Sequence, residues 1–214
     1  MRIDCIIFDL DGTLVDSETL CNQAFIDLLP NLTVNVKTLV QLYRGKKLAD
    51  ILADIEQRLG IRLPDQFEQQ YRQHVAGLFA RELKPMPGVI NMLAEIQLPM
   101  GIASHGPLLK IRQALQVCGL SAFFGEHIFS AYEVGCWKPD PGLFLFAAQA
   151  MAVNSPHCLV VDDSGAGIKA AIAAGMPALL FEPEPSNQFC PPVAKFNHMS
   201  QLPALIANWP PEFA

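Results

Sequence analysis

Hydrophobic and polar positions change rhythm twice along the chain. Residues 3–8 form a near-continuous apolar run, rich in Ile and interrupted only by Asp4. The run is too short for a helix and reads as a strand buried on both faces, as in a parallel sheet. From residue 16 to residue 83 the rhythm is helical throughout. Leu20, Ala24, Phe25 and Leu28 recur at helical spacing and predict a helix over 18–29, with Asp16-Ser17 as its cap and Pro30 as its stop. Further helices are predicted over 36–43, 48–59 and 66–83, separated by Arg44-Gly45, Gly60 and Leu63-Pro64-Asp65. No strand candidate interrupts this stretch, and Pro85-Met86-Pro87-Gly88 closes it as a rigid boundary. Helix and strand then alternate. Helices are predicted over 89–97, 107–117 and 165–174, and strands over 100–103, 127–129, 158–161 and 178–181. One more helix opens at Asp140 as N-cap with Pro141 at the first turn, and a loop-rich tail carries a short helix over 202–207. Alternation of this kind predicts an α/β core with a parallel sheet, built from residues 1–15 and 84–214. An all-helical insertion, residues 16–83, interrupts it after its first strand.

Composition narrows the function classes. Of the 214 residues, 51% are hydrophobic and 17% charged, enough to bury a core without disulfides or structural metals. The net charge is −6, with no basic block or stripe, which argues against nucleic acid and anionic membrane surfaces but not against a small anionic substrate. Cys5, Cys21, Cys118, Cys136, Cys158 and Cys190 show no C-x-x-C spacing and read as free, mostly buried thiols. No apolar segment approaches the ~20 residues that span a bilayer, and the start of the chain lacks a leader pattern. The expectation is a soluble protein in a reducing cytoplasm.

Chemistry-bearing residues fall where the predicted strands end. Asp9 and Asp11 follow the first strand two apart, so the alternation of a strand would turn both to one side, and Gly12 lets the chain bend away. Carboxyl ends of strands are where open α/β sheets bind ligands. Asp and Gly are also ordinary turn residues, and Asp-x-Asp-Gly could open a calcium loop, but the remaining ligands of such a loop are missing. Ser104, His105 and Gly106 end the second strand just before a helix, where a hydroxyl and nearby backbone N–H groups suit a phosphate oxygen. His105 reads equally as a substrate contact or a local hydrogen-bonding histidine. Trp137 reads as core cover, and Lys138 precedes Pro139-Asp140-Pro141 before the next helix. Asp162 and Asp163 end a buried strand as adjacent acids, which cap helices well and otherwise repel each other unless a cation intervenes.

In this order the four stretches resemble the four motifs of the haloacid dehalogenase-like hydrolases, across nearly the whole chain. The resemblance implies a Rossmann-like parallel sheet with a helical cap, and a phosphatase that uses Mg2+. By that resemblance Asp9 is the nucleophile, Asp11 the acid–base residue, and Ser104 and Lys138 the phosphate partners. The implied Mg2+ ligands are Asp9 and Asp163 by side chain and Asp11 by backbone carbonyl, with Asp162 beside them. His105 stands where the family often has Asn or Ser. Asp-Gly-Thr-Leu-Val-Asp-Ser-Glu, Trp-Lys-Pro-Asp-Pro, Ser-x-Gly-Pro and Val-Asp-Asp-Ser are similar to the bacterial subgroup that includes 6-phosphogluconate phosphatase. The implied partner is therefore a small phosphorylated metabolite such as a sugar phosphate, met by a monomer. Arg44 and Lys46, in the main cationic cluster of the insertion, are the candidate substrate contacts, with a solvated loop as the alternative. A phosphomutase of the beta-phosphoglucomutase type is the neighbouring reading, and a catalytically idle binding module the reading from another class. The dehalogenases themselves lack the second acid of the pair.

Overall fold

A computed structural model describes residues 2–184 and 190–209. Six parallel strands form one sheet, β1 (Cys5–Phe8), β2 (Met100–Ser104), β3 (Ile128–Ser130), β4 (Cys158–Asp162), β5 (Ala178–Phe181) and β6 (Lys195–Phe196), in the order β3-β2-β1-β4-β5-β6. The apolar runs are explained by burial on both faces. Along β1, Ile6 and Phe8 pack on one side, and Cys5 and Ile7 on the other. The strand order reverses at β1, which pairs with β2 on one side and β4 on the other. A crevice therefore opens at the carboxyl ends of these three strands.

Between β1 and β2 lie α1 (Glu18–Leu28), α2 (Val36–Tyr43), α3 (Leu48–Leu59), α4 (Phe67–Glu82) and, beyond the proline-rich boundary, α5 (Val89–Glu95). Phe25 stacks on Tyr71 at 4.3 Å between centroids and meets Tyr43 edge-on at 6.3 Å, which locks α1, α2 and α4 together. The chain leaves the sheet region and returns along one paired crossing. The Asp16 N–H donates to the Lys84 carbonyl, and the Met86 N–H to the Leu14 carbonyl, both at 2.9 Å.

The remaining helices flank the sheet as α6 (Leu108–Val117), α7 (Ala131–Val134), α8 (Gly142–Ala150), α9 (Gly165–Ala173) and α10 (Leu202–Ala207). Two elements, α7 and β6, are too short to leave a periodic signal in the sequence. The helix expected to open after Asp140 as cap starts one residue later, at Gly142. Pro141 takes the cap position, and Asp140 Oδ1 accepts from the Gly142 N–H at 2.7 Å. Part of the loop-rich tail lies outside the described residues. All six cysteines are free, but only Cys5, Cys118 and Cys158 are buried. Among the described residues no helix is long and apolar enough to cross a membrane.

Candidate active site

Asp9 begins where β1 stops. Its N–H donates to the Val161 carbonyl of β4 at 2.9 Å, which fixes the residue beyond the last rung of the ladder. Its Oδ1 accepts from Lys138 Nζ at 2.5 Å, and the same ammonium donates to Asp162 Oδ2 at 2.8 Å. Burial costs a carboxylate more than half a share of one lysine returns, so the Asp9 carboxyl is pushed up to about 7. Burial works against the Lys138 ammonium too, but the two carboxylates outweigh it and hold that group above its ordinary range.

Asp11 has its own cation. Lys110 Nζ, from the first turn of α6, donates to Asp11 Oδ1 at 2.7 Å, and Ser17 Oγ donates to the same oxygen at 2.5 Å. Burial raises the Asp11 carboxyl, but these donors more than offset it and leave the group below its ordinary value. Ser17, at the expected helix cap, makes no side-chain bond to its helix and is turned to the site instead.

Asp163, one residue past β4, is buried against Gly12. A Cβ on Gly12 would fall 2.5 Å from Asp163 Oδ2, and the φ of +80° there also calls for glycine. Arg44 reaches the same carboxylate from the insertion, with Nε 3.4 Å from Asp163 Oδ2 and Nη2 3.0 Å from Glu18 Oε2. Burial first, and then Glu18, Asp162 and Asp9, raise the Asp163 carboxyl well above its usual range. Gly45 seats this loop, since a Cβ there would come 2.8 Å from the Ser164 Cβ.

A cavity of about 540 Å³ lies between the strand ends and the helical insertion, a volume suited to a small metabolite. Asp9, Asp11, Lys138, Asp163, His105, Gly106 and Lys46 all line it. Ser104, Asp162 and Arg44 stand one step behind the wall. Ser104 is fully buried, its Oγ accepting from the Gly106 N–H at 3.0 Å. Asp162 faces Lys138 and, through Oδ1, the N–H and Oγ of Ser164 at 2.9 and 2.7 Å. His105 does two things, for it lines the cavity and its Nε2 accepts from the Lys138 N–H at 2.8 Å. Burial and then the Lys138 charge lower His105 to about 4, so it is neutral. Trp137 meets Tyr132 edge-on at 5.6 Å and packs against the second face of the core.

Sequence reasoning missed Ser17, Glu18 and Lys110. Only Lys110 left a signal, because a cation in the first turn of a helix opposes the helix dipole and needs a partner.

No group of three His, Cys, Asp or Glu side chains among the described residues converges as a metal cage. The expected ligand set needs only two, Asp9 and Asp163, with a backbone carbonyl as the third. Five carboxylates (Asp9, Asp11, Glu18, Asp162 and Asp163) are ion-paired here to three cations, Lys110, Lys138 and Arg44. The all-oxygen donors, with carboxyls at Asp9 and Asp163 whose negative charge burial opposes, fit a hard divalent cation.

Burial of Asp9 gives a pH-dependent stability with a definite sign. The folded chain holds the Asp9 proton up to about pH 7, while an unfolded carboxyl releases it near 3.8. Stability from this group is complete below the lower value and is lost as the pH rises through the upper one. Without divalent cations, the melting temperature of the wild type should therefore fall between pH 5 and 8. Asp9→Asn should flatten that fall by about 2 °C or more, and Mg2+ should raise the wild-type value more at pH 8 than at pH 5. Parallel curves for both proteins, measured by differential scanning fluorimetry, would remove the charge argument.

Residues 3–175 match the haloacid dehalogenase-like hydrolase family. The chain is 37% identical over 209 residues to 6-phosphogluconate phosphatase of Escherichia coli K12, covering 95% of each protein. A conserved haloacid dehalogenase-like protein of Agrobacterium tumefaciens shares the fold with a TM-score of 0.81 at 30% identity, covering 96% of this chain and 98% of that one. A family hydrolase of Deinococcus radiodurans, solved with bound phosphate and sodium, gives a TM-score of 0.77 at 26% identity, covering 96% of both. With the strand order, the strand-end acids and the family match in agreement, the chain belongs to the haloacid dehalogenase-like hydrolases.

Proposed function

We propose that this chain hydrolyses a small phosphate monoester, a sugar phosphate such as 6-phosphogluconate, through a phosphoryl group carried on Asp9. The carrying observation is that two carboxylates two residues apart line one cavity, each held by a different lysine. A carboxylate attacking a phosphate dianion meets repulsion of about 4 kcal/mol per unit pair at ~4 Å and an effective dielectric of ~20. Lys138 opposes that repulsion at Asp9 itself, and Asp162 keeps the ammonium in place. A divalent cation held by Asp9, Asp163 and the Asp11 carbonyl would supply the remaining neutralisation, and Mg2+ suits such oxygen ligands.

Asp9 attacks phosphorus, and the bond from phosphorus to the ester oxygen breaks. Asp11, ionised beside Lys110 in the free enzyme, takes up a proton as the ester binds and gives it to the departing alkoxide. It then takes one from the water that attacks the aspartyl-phosphate and frees Asp9. Ser104 holds the 104–106 turn by accepting the Gly106 N–H, and so sets His105 and Gly106 in the cavity wall where the phosphate would lie. We take residues 16–83 as a cap domain on a core of 1–15 and 84–214, a division supported by the paired crossing at Leu14–Met86. Such a cap excludes bulk water from the reaction.

Substrate choice follows from the cap wall. Arg44 is engaged with Glu18 and Asp163, whereas Lys46 lines the cavity, its Nζ 5.6 Å from the Tyr43 ring centre. Lys46 is the contact for a second anionic group on the substrate. The likeness to 6-phosphogluconate phosphatase points to a carboxylate in that role. Lys46→Ala should raise KM about tenfold for 6-phosphogluconate and less than threefold for a neutral hexitol phosphate, with kcat nearly unchanged. Equal effects on both would return the loop to a solvated role. The reading as a whole is tested by a phosphate-release screen over sugar phosphates with Mg2+ or EDTA. Free phosphate stoichiometric with the dephosphorylated product supports it. An isomeric phosphate without free phosphate would make the chain a mutase, and no turnover at all would make it a binding module.

A further inference from the structure

We propose that Lys110 is a positioning residue that, with Ser17, fixes one oxygen of Asp11 and so aims the other at the reacting ester. The proposal rests on the hydrolase reading above, in which Asp11 moves the protons. Lys110 is the third residue of α6, where the helix dipole disfavours a cation. It is nonetheless turned inward, with Nζ 2.7 Å from Asp11 Oδ1 and 5.6 Å from the ring centre of Phe79. Phe79 is a fully buried residue of α4, so the cap helix covers the lysine that grips a residue of the core. Ser17, the residue just before α1, donates to the same Oδ1. Both donors thus fall on Oδ1 and neither on Oδ2. The carboxylate plane is pinned from two sides, by a core helix and by the entry to the cap. A carboxylate that rotates freely spends little time at the hydrogen-bonding distance proton transfer needs, and a displacement near 1 Å can cost ~10²-fold.

A lysine at the cavity floor could instead bind substrate directly, and a double-mutant cycle separates the two roles. Lys110→Met, Asp11→Asn and the double variant are compared by acid-quenched single turnovers of 6-phosphogluconate and of p-nitrophenyl phosphate, with Lys110→Arg as the conservative control. Positioning predicts that Lys110→Met slows the sugar ester by about 10–100-fold. KM should change less than threefold, and the aryl ester should be phosphorylated nearly as fast as in the wild type. In the Asp11→Asn background the same substitution should cost less than threefold, and Lys110→Arg should recover at least tenfold of the loss. Equal losses with and without Asp11, or an effect confined to KM, would overturn the proposal in favour of substrate contact. Circular dichroism checks the fold of each variant. Should Lys110→Met not fold, Lys110→Gln enters the cycle in its place under the same criteria. A wild type that releases no phosphate from any ester defeats the hydrolase reading itself, which is a separate outcome.

Discussion

Asp9→Asn should lower kcat for every phosphate ester by on the order of 10⁴-fold or more, whatever the leaving group. Asparagine fills the same space and can still take a hydrogen bond from Lys138 through its carbonyl oxygen. It has no anionic oxygen to attack phosphorus, so the covalent step is lost rather than slowed. The substitution also removes one of the five carboxylates around the strand ends, and the fold should tolerate it. Lys138 keeps Asp162 at 2.8 Å, and a buried charge that burial opposes is gone. Loss of turnover with a cooperative melt at least as high as that of the wild type is the expected pair of results. Chelation of divalent cations should cause a comparable loss in the wild type, reversed by Mg2+. Turnover within tenfold of wild type in Asp9→Asn would end the proposal that this residue carries the phosphoryl group.

Asp11→Asn should divide substrates by their leaving groups. In the first half-reaction the departing alkoxide of a sugar ester needs a proton, whereas p-nitrophenolate leaves readily without one. In the second, water needs a base whichever ester was used. Acid–base assistance is typically worth ~10²–10⁴-fold, so the sugar ester should lose about that much in both halves. The aryl ester should still phosphorylate Asp9 and then stall. Acid quenching during aryl turnover should show a burst of phenolate near one per site and an intact mass with one phosphoryl adduct. A backbone carbonyl at position 11 survives the substitution, so a backbone ligand role is left in place. If no adduct forms and both esters slow by one factor, Asp11 is not the acid–base residue, and its lysine and serine partners need another account.

Much of this was legible in the residues alone, because local pattern and local chemistry coincide at the strand ends. The apolar run before Asp9 predicts a doubly covered strand, and β1 is one, packed on both faces. The long helical stretch predicts helices between the first two strands, and α1 to α4 lie there. A doubly covered strand followed by acids can end in few places, and Asp9, Asp11, Asp162 and Asp163 all fall at the carboxyl end of the sheet, where cations of the fold rather than water meet their charges. Which neighbour each acid keeps is a different matter, because those partners are far apart in sequence. Asp162 and Asp163 are adjacent, yet alternation at the strand end turns one to Lys138 and the other to the cavity and Arg44. Asp11 and Lys110 stand 99 residues apart and meet only because β1 and β2 pair and α6 follows β2. Arg44 and Lys46 look alike in the sequence, two cations of one loop. Packing of Gly45 against Ser164 commits the first to the carboxylates of the site and leaves the second on the cavity wall. Period and composition act over a few residues and so determine strands and helices. Charge pairing acts through space, and only the folded chain decides which cation serves which acid.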